Sequence, residues 1–225
     1  MILAFHDNSL EPKITKCEES KADVIIMAES KLGKKHTEFK VRGYHTVANL
    51  IRKPNAGGLV VMAKDTIQLH LITEKNVLDE IQVVTFKFGD ITFIAVYRRP
   101  SYGTTKARVH HKSLIDYLDK EIDKLKGAQY VLVGDFNLSA LAANNVEPSS
   151  NATDGDYEEG VYDEKNMTID QMWADFYCRR YLDQWVREPT FHRYNKISKE
   201  VTETMTDLVM APTTQSIYQL NSSFF

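Results

Sequence analysis

The sequence has only two cysteines, Cys17 and Cys178, and they lie far apart in the chain. This number and spacing exclude a disulfide framework and a cysteine-based metal site. They predict two buried thiols in a reducing, intracellular compartment. The glycosylation patterns at Asn151 and Asn166 are then chance matches, because glycosylation accompanies secretion.

Long apolar runs are also missing from the sequence. No run approaches the ~20 residues that a membrane-spanning helix needs, so we expect no membrane span. The N-terminal residues MILAF are too few for a signal peptide, and polar and charged residues follow at once.

Neither sign of charge is in large excess. The net charge of −3 gives no support to a general nucleic-acid-binding surface, and it does not exclude a local one. Hydrophobic residues make up 43% and charged residues 26% of the 225 residues, which is typical of a chain with a packed core. We find no internal repeat and no linker suited to a domain boundary, so the sequence predicts a single domain over residues 1–225.

Several apolar stretches predict buried strands. The pair Gly57-Gly58 opens one of them without the Lys-Ser/Thr of a phosphate-binding loop, so we predict a tight turn there. Gly89-Asp90 divides another into the two strands of a β-hairpin. The predicted strands lie within Ala22–Ser30, Ala56–Lys64, Ile81–Arg99, Tyr130–Val133 and Thr206–Met210.

Helical periodicity appears in two segments, at Leu114, Ile115, Leu118, Ile122 and Leu125, and at Ile169, Met172, Trp173 and Phe176. The second segment begins with a capping box formed by Thr168 and Gln171. A polar first helix is predicted between Glu11 and Lys21. This mixture of strands and helices favours an α/β sandwich with antiparallel pairing over a doubly wound parallel sheet.

One segment differs from the rest in composition. Residues 147–166 carry seven acidic residues and one lysine with little apolar content, which predicts a long exposed loop. A solvated insertion is the favoured interpretation of this acidic loop, and a functional role is the alternative.

The stretch YVLVGDFNLS places Asp135 and Asn137 directly after an apolar strand. Residues at positions i and i+2 of an extended chain project in the same direction. Ligands of α/β sheets bind at the carboxyl ends of strands, so this pair indicates a site. Gly, Asp and Asn also favour turns, and both interpretations stay open from these residues alone.

Other predicted strands also carry polar groups at an end. Glu29 ends the first buried strand, Tyr97 ends the hairpin, and Asp207 begins the last strand. Each has an ordinary structural explanation, such as a helix cap or a charge at the sheet rim. Together, acids and an amide at strand ends suit a hard cation, because Mg²⁺ takes one or two carboxylates and keeps waters for a phosphate.

The motifs MAESKL, AGGLVVMAK, VYRRPS and VGDFN, in this order, resemble those of the endonuclease/exonuclease/phosphatase superfamily. The stretches YLDQWVREPTFHR and TMTDLVMAP resemble the signature of the endonuclease domain in jockey-type non-LTR retrotransposons. The resemblance covers nearly the whole chain. It implies a four-layer α/β/β/α sandwich of the DNase I type and a Mg²⁺-dependent enzyme, with Mn²⁺ as a substitute, that nicks DNA.

The resemblance also assigns roles to residues. Glu29 matches the metal-binding glutamate and Tyr97 the phosphate-contacting tyrosine. Asp135 matches the acid that activates or orients the attacking water, and Asn137 the amide that steadies the phosphate. Asp207 matches the aspartate that orients a catalytic histidine. A metal ion and fixed hydrogen-bond donors next to the developing negative charge are expected to make the largest contribution to phosphodiester cleavage.

The sequence departs from the family pattern at two places. In FHDNSL, an ungapped match places His6 and Asn8 at the first two polar positions of the family's opening motif, and Ser9 at its glycine. In this match His6 would donate a hydrogen bond to the phosphate, and Asn8 would be a metal ligand. A shift of one or two residues would instead put Asn8 on the first position. The family's Ser-Asp-His motif does not occur in the sequence, so we expect the last strand to be missing, and only His6 and His192 are available as substitutes for its histidine.

The basic residues Arg98, Arg99, Lys106 and Arg108 follow the hairpin strand, and Arg98 and Arg99 are candidates for substrate binding. Such contacts would fix the protein's position on DNA and would not read its base sequence, and a solvated basic loop is the alternative.

The resemblance implies DNA as the partner, a downstream reverse-transcriptase domain in the same reading frame, and nuclear localisation. Two alternatives remain open: a phosphoesterase for lipid or small-molecule phosphates, and a truncated or inactive remnant.

Overall fold

The computed structural model describes residues 2–6, 10–32, 40–51, 57–100, 104–138, 167–185, 191–194, 201–204 and 207–213. The predicted acidic loop at 147–166 lies outside these residues. No described helix is both long enough and apolar enough to cross a membrane.

The first sheet has four strands and carries the first helix. In chain order the elements are β1 (Ile2–His6), α1 (Leu10–Ser20), β2 (Val24–Ala28), β3 (Tyr44–Leu50) and β4 (Leu59–Lys64). The strand order is β1-β2-β4-β3, with β1 parallel to β2 and the other pairs antiparallel.

The second sheet has six strands in the order β5-β6-β7-β8-β12-β9. They are β5 (His70–Leu78), β6 (Ile81–Phe88), β7 (Ile91–Arg98), β8 (Tyr130–Asp135), β9 (Leu182–Gln184) and β12 (Asp207–Pro212). Between β9 and β12, β10 (Phe191–Tyr194) and β11 (Val201–Thr204) form a separate antiparallel ribbon. The helices α2 (Thr104–Lys124) and α3 (Ile169–Arg180) accompany the second sheet.

Alternation along β2 explains how the first sheet is covered on both faces. Ile25 and Met27 pack in one buried cluster with Cys17 of α1, whereas Val24 and Ile26 belong to the cluster shared with the second sheet. Because successive side chains of a strand point to opposite faces, this sheet lies between α1 and the second sheet.

The other face of the second sheet is covered by α2 and α3. Leu114 and Leu118 of α2, with Trp173 and Phe176 of α3, join the buried cluster of the second sheet. Replacing a buried Trp or Phe by Ala costs about 3–5 kcal/mol, so these four residues hold the layer firmly. The four-layer α/β/β/α sandwich that the sequence predicts is therefore confirmed.

Every predicted strand and helix is present in the described residues, which also contain six strands that were not predicted. All five apolar stretches contain strands, the hairpin turns at Gly89-Asp90, and the capping box of Thr168 and Gln171 is formed in both directions. The expectation of two buried thiols was wrong for Cys178, which is exposed. Cys178 lies on the outer face of α3, in line with exposed Gln171 and Asp175, away from the buried stripe.

Candidate active site

Three predicted site residues lie at one level of the second sheet. Tyr97 is paired in register with Asp135 across the parallel strands β7 and β8. Asp135 is in turn the register partner of Asp207 across the antiparallel strands β8 and β12. Neighbouring strands lie about 4.8 Å apart, so the three backbone positions form one short row at the sheet's edge. The side chain of Asp207 is not among those described.

Glu29 lies at an end of the first sheet, beside this row of residues. It follows β2 with a φ of +49°, and the next residues are held in place by the glycine turn predicted before β4. There, Ser30 N–H donates to the Gly58 carbonyl at 3.2 Å and Lys31 N–H donates to the Gly57 carbonyl at 2.7 Å. The glycine pair therefore supports the Glu29 segment and does not cradle a phosphate.

The Glu29 carboxylate has a described partner on each oxygen. Tyr97 donates its hydroxyl hydrogen bond to Glu29 Oε1 at 3.2 Å, across the two sheets. Lys31 Nζ lies 3.3 Å from Glu29 Oε2. The structure thus brings Glu29, Tyr97 and Asp135 together: a hydrogen bond joins Glu29 to Tyr97, and strand pairing places Tyr97 beside Asp135.

Asp135 and Asn137 form a tight turn as well as part of the site. Asn137 N–H donates to Asp135 Oδ1 at 3.0 Å, which is the local bond of an Asx turn. Asn137 has a φ of +48°, a conformation that asparagine tolerates better than most residues. The two interpretations that the sequence left open are therefore compatible at this position.

Gly134 lets β8 approach β7 closely enough to build this turn. Its φ is +133°, and a Cβ there would lie 2.0 Å from the Val96 carbonyl oxygen. No side chain fits this gap, because such a contact is far inside van der Waals distance. Glycine is required directly before the site aspartate.

Arg98 has a different environment from that expected of a phosphate-binding residue. It is only 2% exposed, and its guanidinium donates to the carbonyls of Phe136 at 2.7 Å and Asn137 at 2.5 Å. Burial lowers the pKa of Arg98 to about 10, partly offset by the charges of Asp135 and Tyr97. The guanidinium stays protonated at neutral pH.

The neighbouring basic residues are more exposed. Arg99 Nη1 lies 3.4 Å from Glu80 Oε2, and Lys106 Nζ lies 3.6 Å from Glu80 Oε1. Arg108 donates to the Met167 carbonyl. Arg99 is exposed next to the site, so of the two predicted substrate-binding arginines it has the position suited to a phosphate backbone.

The remaining predicted site residues are only partly described. His6 is the last residue of β1 and is paired in register with Ala28, the residue that precedes Glu29. The side chain of His6 is not among those described. Asn8 lies outside the described residues. His192 belongs to β10, whose side chains are likewise outside the description.

Sequence reasoning missed a buried polar pair behind the turn. Trp173 of α3 donates its indole N–H to His111 Nδ1 of α2 at 2.9 Å, and the Trp173 ring meets the Phe136 ring edge-on at 5.8 Å. Burial lowers the pKa of His111 to about 3, with Arg98 and His110 acting in the same direction. No sequence signal joins these residues, since His111 and Trp173 are 62 positions apart.

The described side chains suit a Mg²⁺ site with one or two protein carboxylates and do not form a site with three or more protein ligands. Among the described residues, no group of three or more His, Cys, Asp or Glu side chains could hold a metal ion. Mg²⁺ needs only one or two carboxylates and keeps most of its waters. Glu29 supplies one such carboxylate, and its Oε2 faces the cationic Lys31 ammonium at 3.3 Å.

No protein-family model matches the sequence, and no curated protein matches it. Solved structures do match its fold. The 3′-5′ exonuclease NExo from Neisseria meningitidis superimposes with a TM-score of 0.62 at 15% identity, over 94% of this chain and 86% of that chain. The endonuclease domain of TRAS1, a telomere-specific non-LTR retrotransposon, gives 0.57 at 11% identity, over 94% and 84%.

A third match is an AP endonuclease from Archaeoglobus fulgidus, with a TM-score of 0.57 at 19% identity, over 93% of this chain and 85% of that chain. At these identities the likeness establishes the fold. The chain has the two-sheet α/β fold of the endonuclease/exonuclease/phosphatase proteins, which is the DNase I-like fold that the sequence motifs predict.

Proposed function

We propose that the chain is a metal-dependent phosphodiesterase: the DNA endonuclease domain of a non-LTR retrotransposon, which nicks target DNA by attack of water on phosphorus. The observation that carries this proposal is the Tyr97–Glu29 hydrogen bond of 3.2 Å between the sheets, beside Asp135 in register. This arrangement places a carboxylate for a cation, a phenol and a second carboxylate next to one another. The LDQWVREPT resemblance favours the retrotransposon branch.

Each residue has a physical role in this proposal. Asp135 accepts a hydrogen bond from the attacking water and takes its proton as the new oxygen–phosphorus bond forms and the bond from phosphorus to the leaving oxygen breaks. Asn137 donates from its side-chain amide to a phosphoryl oxygen, where negative charge builds. Tyr97 donates its only hydroxyl hydrogen to Glu29 Oε1 and so holds that carboxylate in place. Arg99 contacts a neighbouring backbone phosphate.

Glu29 would hold Mg²⁺, or Mn²⁺ in its place. The ion neutralises charge on the phosphoryl and leaving oxygens when bound. The described side chains assign no proton donor to the leaving oxygen. The sequence has no Ser-Asp-His motif, and losing one such catalytic group costs ~10²–10⁴ in rate, so we expect slow nicking.

The test is nicking of supercoiled plasmid in Mg²⁺. We expect relaxed circles in Mg²⁺, no product in excess chelator, and no product from Glu29→Gln or Asp135→Asn. The matched controls Glu18→Gln on α1 and Asp90→Asn in the hairpin turn, both exposed, should nick like the wild type. Nicking that continues in chelator, or in both site variants, would overturn the proposal.

Two further measurements separate the alternatives. Faster turnover of a small phosphomonoester than of plain or abasic duplex DNA would favour a small-molecule phosphoesterase. Calorimetry that detects Mg²⁺ binding without turnover of any substrate would favour an inactive remnant.

Two corollaries accompany the retrotransposon assignment. A reverse-transcriptase region would follow in the same reading frame, and the protein would act in the nucleus, where chromosomal DNA lies. The downstream coding sequence and the location of a tagged copy of the full reading frame test them.

A further inference from the structure

Arg98 and Asn137 hold each other through reciprocal hydrogen bonds. The Arg98 guanidinium donates to the Asn137 backbone carbonyl at 2.5 Å, and the Asn137 side-chain Nδ2 donates to the Arg98 carbonyl at 2.7 Å. In a third bond, Arg98 Nε donates to the carbonyl of Phe136, the residue between Asp135 and Asn137, at 2.7 Å. We call these three bonds the arginine clamp.

The clamp determines which way the Asn137 carboxamide faces. A carbonyl only accepts hydrogen bonds, so the group next to the Arg98 carbonyl must be the amide nitrogen and not the oxygen. One amide hydrogen is used in the clamp, and the second remains for an acceptor such as a phosphoryl oxygen. Turning the carboxamide over would bring two oxygens together.

The clamp also fixes the backbone of the turn. Asn137 has a φ of +48°, which is sparsely populated for non-glycine residues and needs support from its surroundings. The Asn137 N–H bond to Asp135 Oδ1 at 3.0 Å and the clamp bonds to the two carbonyls provide that support from opposite sides. The fork of a guanidinium can reach two adjacent carbonyls at once, which an ammonium group cannot do with the same geometry.

Packing behind the turn keeps the Arg98 side of the clamp away from water. The Phe136 ring is fully buried against Trp173, whose indole N–H is bonded to His111. Arg98 itself is buried and directed at main-chain carbonyls. This arrangement differs from that of Arg99, which is exposed one residue further on.

We propose that Arg98 is a positioning residue, which orients Asn137 and the Asp135 turn for reaction and does not itself contact the phosphate. The catalytic part of this inference rests on the proposed phosphodiesterase function. The structural part concerns the Asn137 side chain alone and stands without any activity.

The kinetic test compares Arg98→Lys with Arg42→Lys, at an exposed arginine just before β3, on a fluorescent duplex oligonucleotide. Arg98→Lys keeps the charge and loses the fork, so we expect kcat to fall by roughly 10²-fold, the effect of misplacing a catalytic group by about 1 Å. KM and its dependence on salt should stay within about twofold of wild type, because phosphate contacts and not positioning residues set the salt slope. Arg42→Lys should retain the wild-type kcat and KM. A raised KM and a reduced salt slope in Arg98→Lys with kcat unchanged would overturn the proposal.

A second measurement needs neither activity nor a folded variant. In the ¹⁵N-labelled wild type, one side-chain amide hydrogen of Asn137 should exchange at least tenfold more slowly than that of an exposed asparagine. Exchange at the rate of an exposed amide would overturn the clamp directly. If the wild type does not nick DNA but this hydrogen is protected, the proposed function fails and the positioning of Asn137 by Arg98 stands.

Discussion

The hydroxyl of Tyr97 lies 3.2 Å from Oε1 of Glu29 and donates to it. The two residues belong to different sheets, since Glu29 follows β2 and Tyr97 lies in β7. One hydrogen bond therefore joins the sheets at the edge where Asp135 is in register with Tyr97. The proposed chemistry depends on this junction, and so do the predictions that follow.

Replacing Tyr97 by Phe removes the hydroxyl and keeps the ring. A hydrogen bond to a charged group contributes about 1.5–3 kcal/mol, so we expect the nicking rate to fall by roughly 10- to 100-fold. Tyr117→Phe, a partly buried tyrosine of α2, is the matched control and should keep the wild-type rate. A Tyr97→Phe rate within twofold of wild type would show that the junction is not needed.

Lys31 competes with any cation at Glu29, because its ammonium lies 3.3 Å from Oε2. Lys31→Gln should therefore tighten the binding of Mg²⁺ or Mn²⁺, measured by calorimetry. Partly exposed ion pairs contribute about 0.2–1 kcal/mol, which corresponds to at most about fivefold in Kd. Lys120→Gln on the exposed face of α2 is the control. Weaker metal binding in Lys31→Gln would contradict a metal site at Glu29.

Gly134→Ala tests the close approach of β7 and β8. The added Cβ would meet the Val96 carbonyl oxygen at 2.0 Å, so we expect a loss of at least about 3 kcal/mol in the free energy of unfolding. Gly127→Ala has a φ of +84° and no atom within 4 Å, so only backbone strain of about 1–2 kcal/mol should result. Urea unfolding of both variants measures the difference. Equal losses would mean that the contact with Val96 is easily relieved.

His111 makes stability depend on pH. Its folded pKa of about 3 lies below the unfolded value of 6.5, so between these values the unfolded state binds more protons. The free energy of unfolding should fall as pH falls through this window, by up to about 1.4 kcal/mol per pH unit. His111→Asn keeps an acceptor for Trp173 and cannot titrate, so its stability should change less between pH 6.5 and 4.5. The exposed His70→Asn should follow the wild type, and parallel curves for all three proteins would contradict a neutral, buried His111.

Much of the fold follows from the sequence because the central strands are continuous apolar runs. The strands β2, β4, β6, β7 and β8 are buried along nearly their whole length, and their sequences show it. Six strands were missed. The strands β3 and β5 lie at sheet edges and mix polar with apolar residues. The other four, β1, β9, β10 and β11, have only three to five residues. Pairing with a neighbour, and not local composition, makes them strands.

The site could be predicted in part for the same reason. Tyr97, Asp135 and Asp207 each stand at the end of an apolar run, so strand pairing alone brings their positions together. The role of Arg98 could not be predicted, because its burial depends on carbonyls 38 and 39 positions away. Composition treats an arginine as a surface residue, and only the three-dimensional contacts show this one inside.

The most direct test of the central claim is an anomalous difference map from crystals of the protein soaked in Mn²⁺. The account predicts a peak about 2–2.5 Å from a Glu29 carboxylate oxygen, on the side of Tyr97 and Asp135. A Mn²⁺ peak elsewhere on the protein, with none beside Glu29, would contradict it.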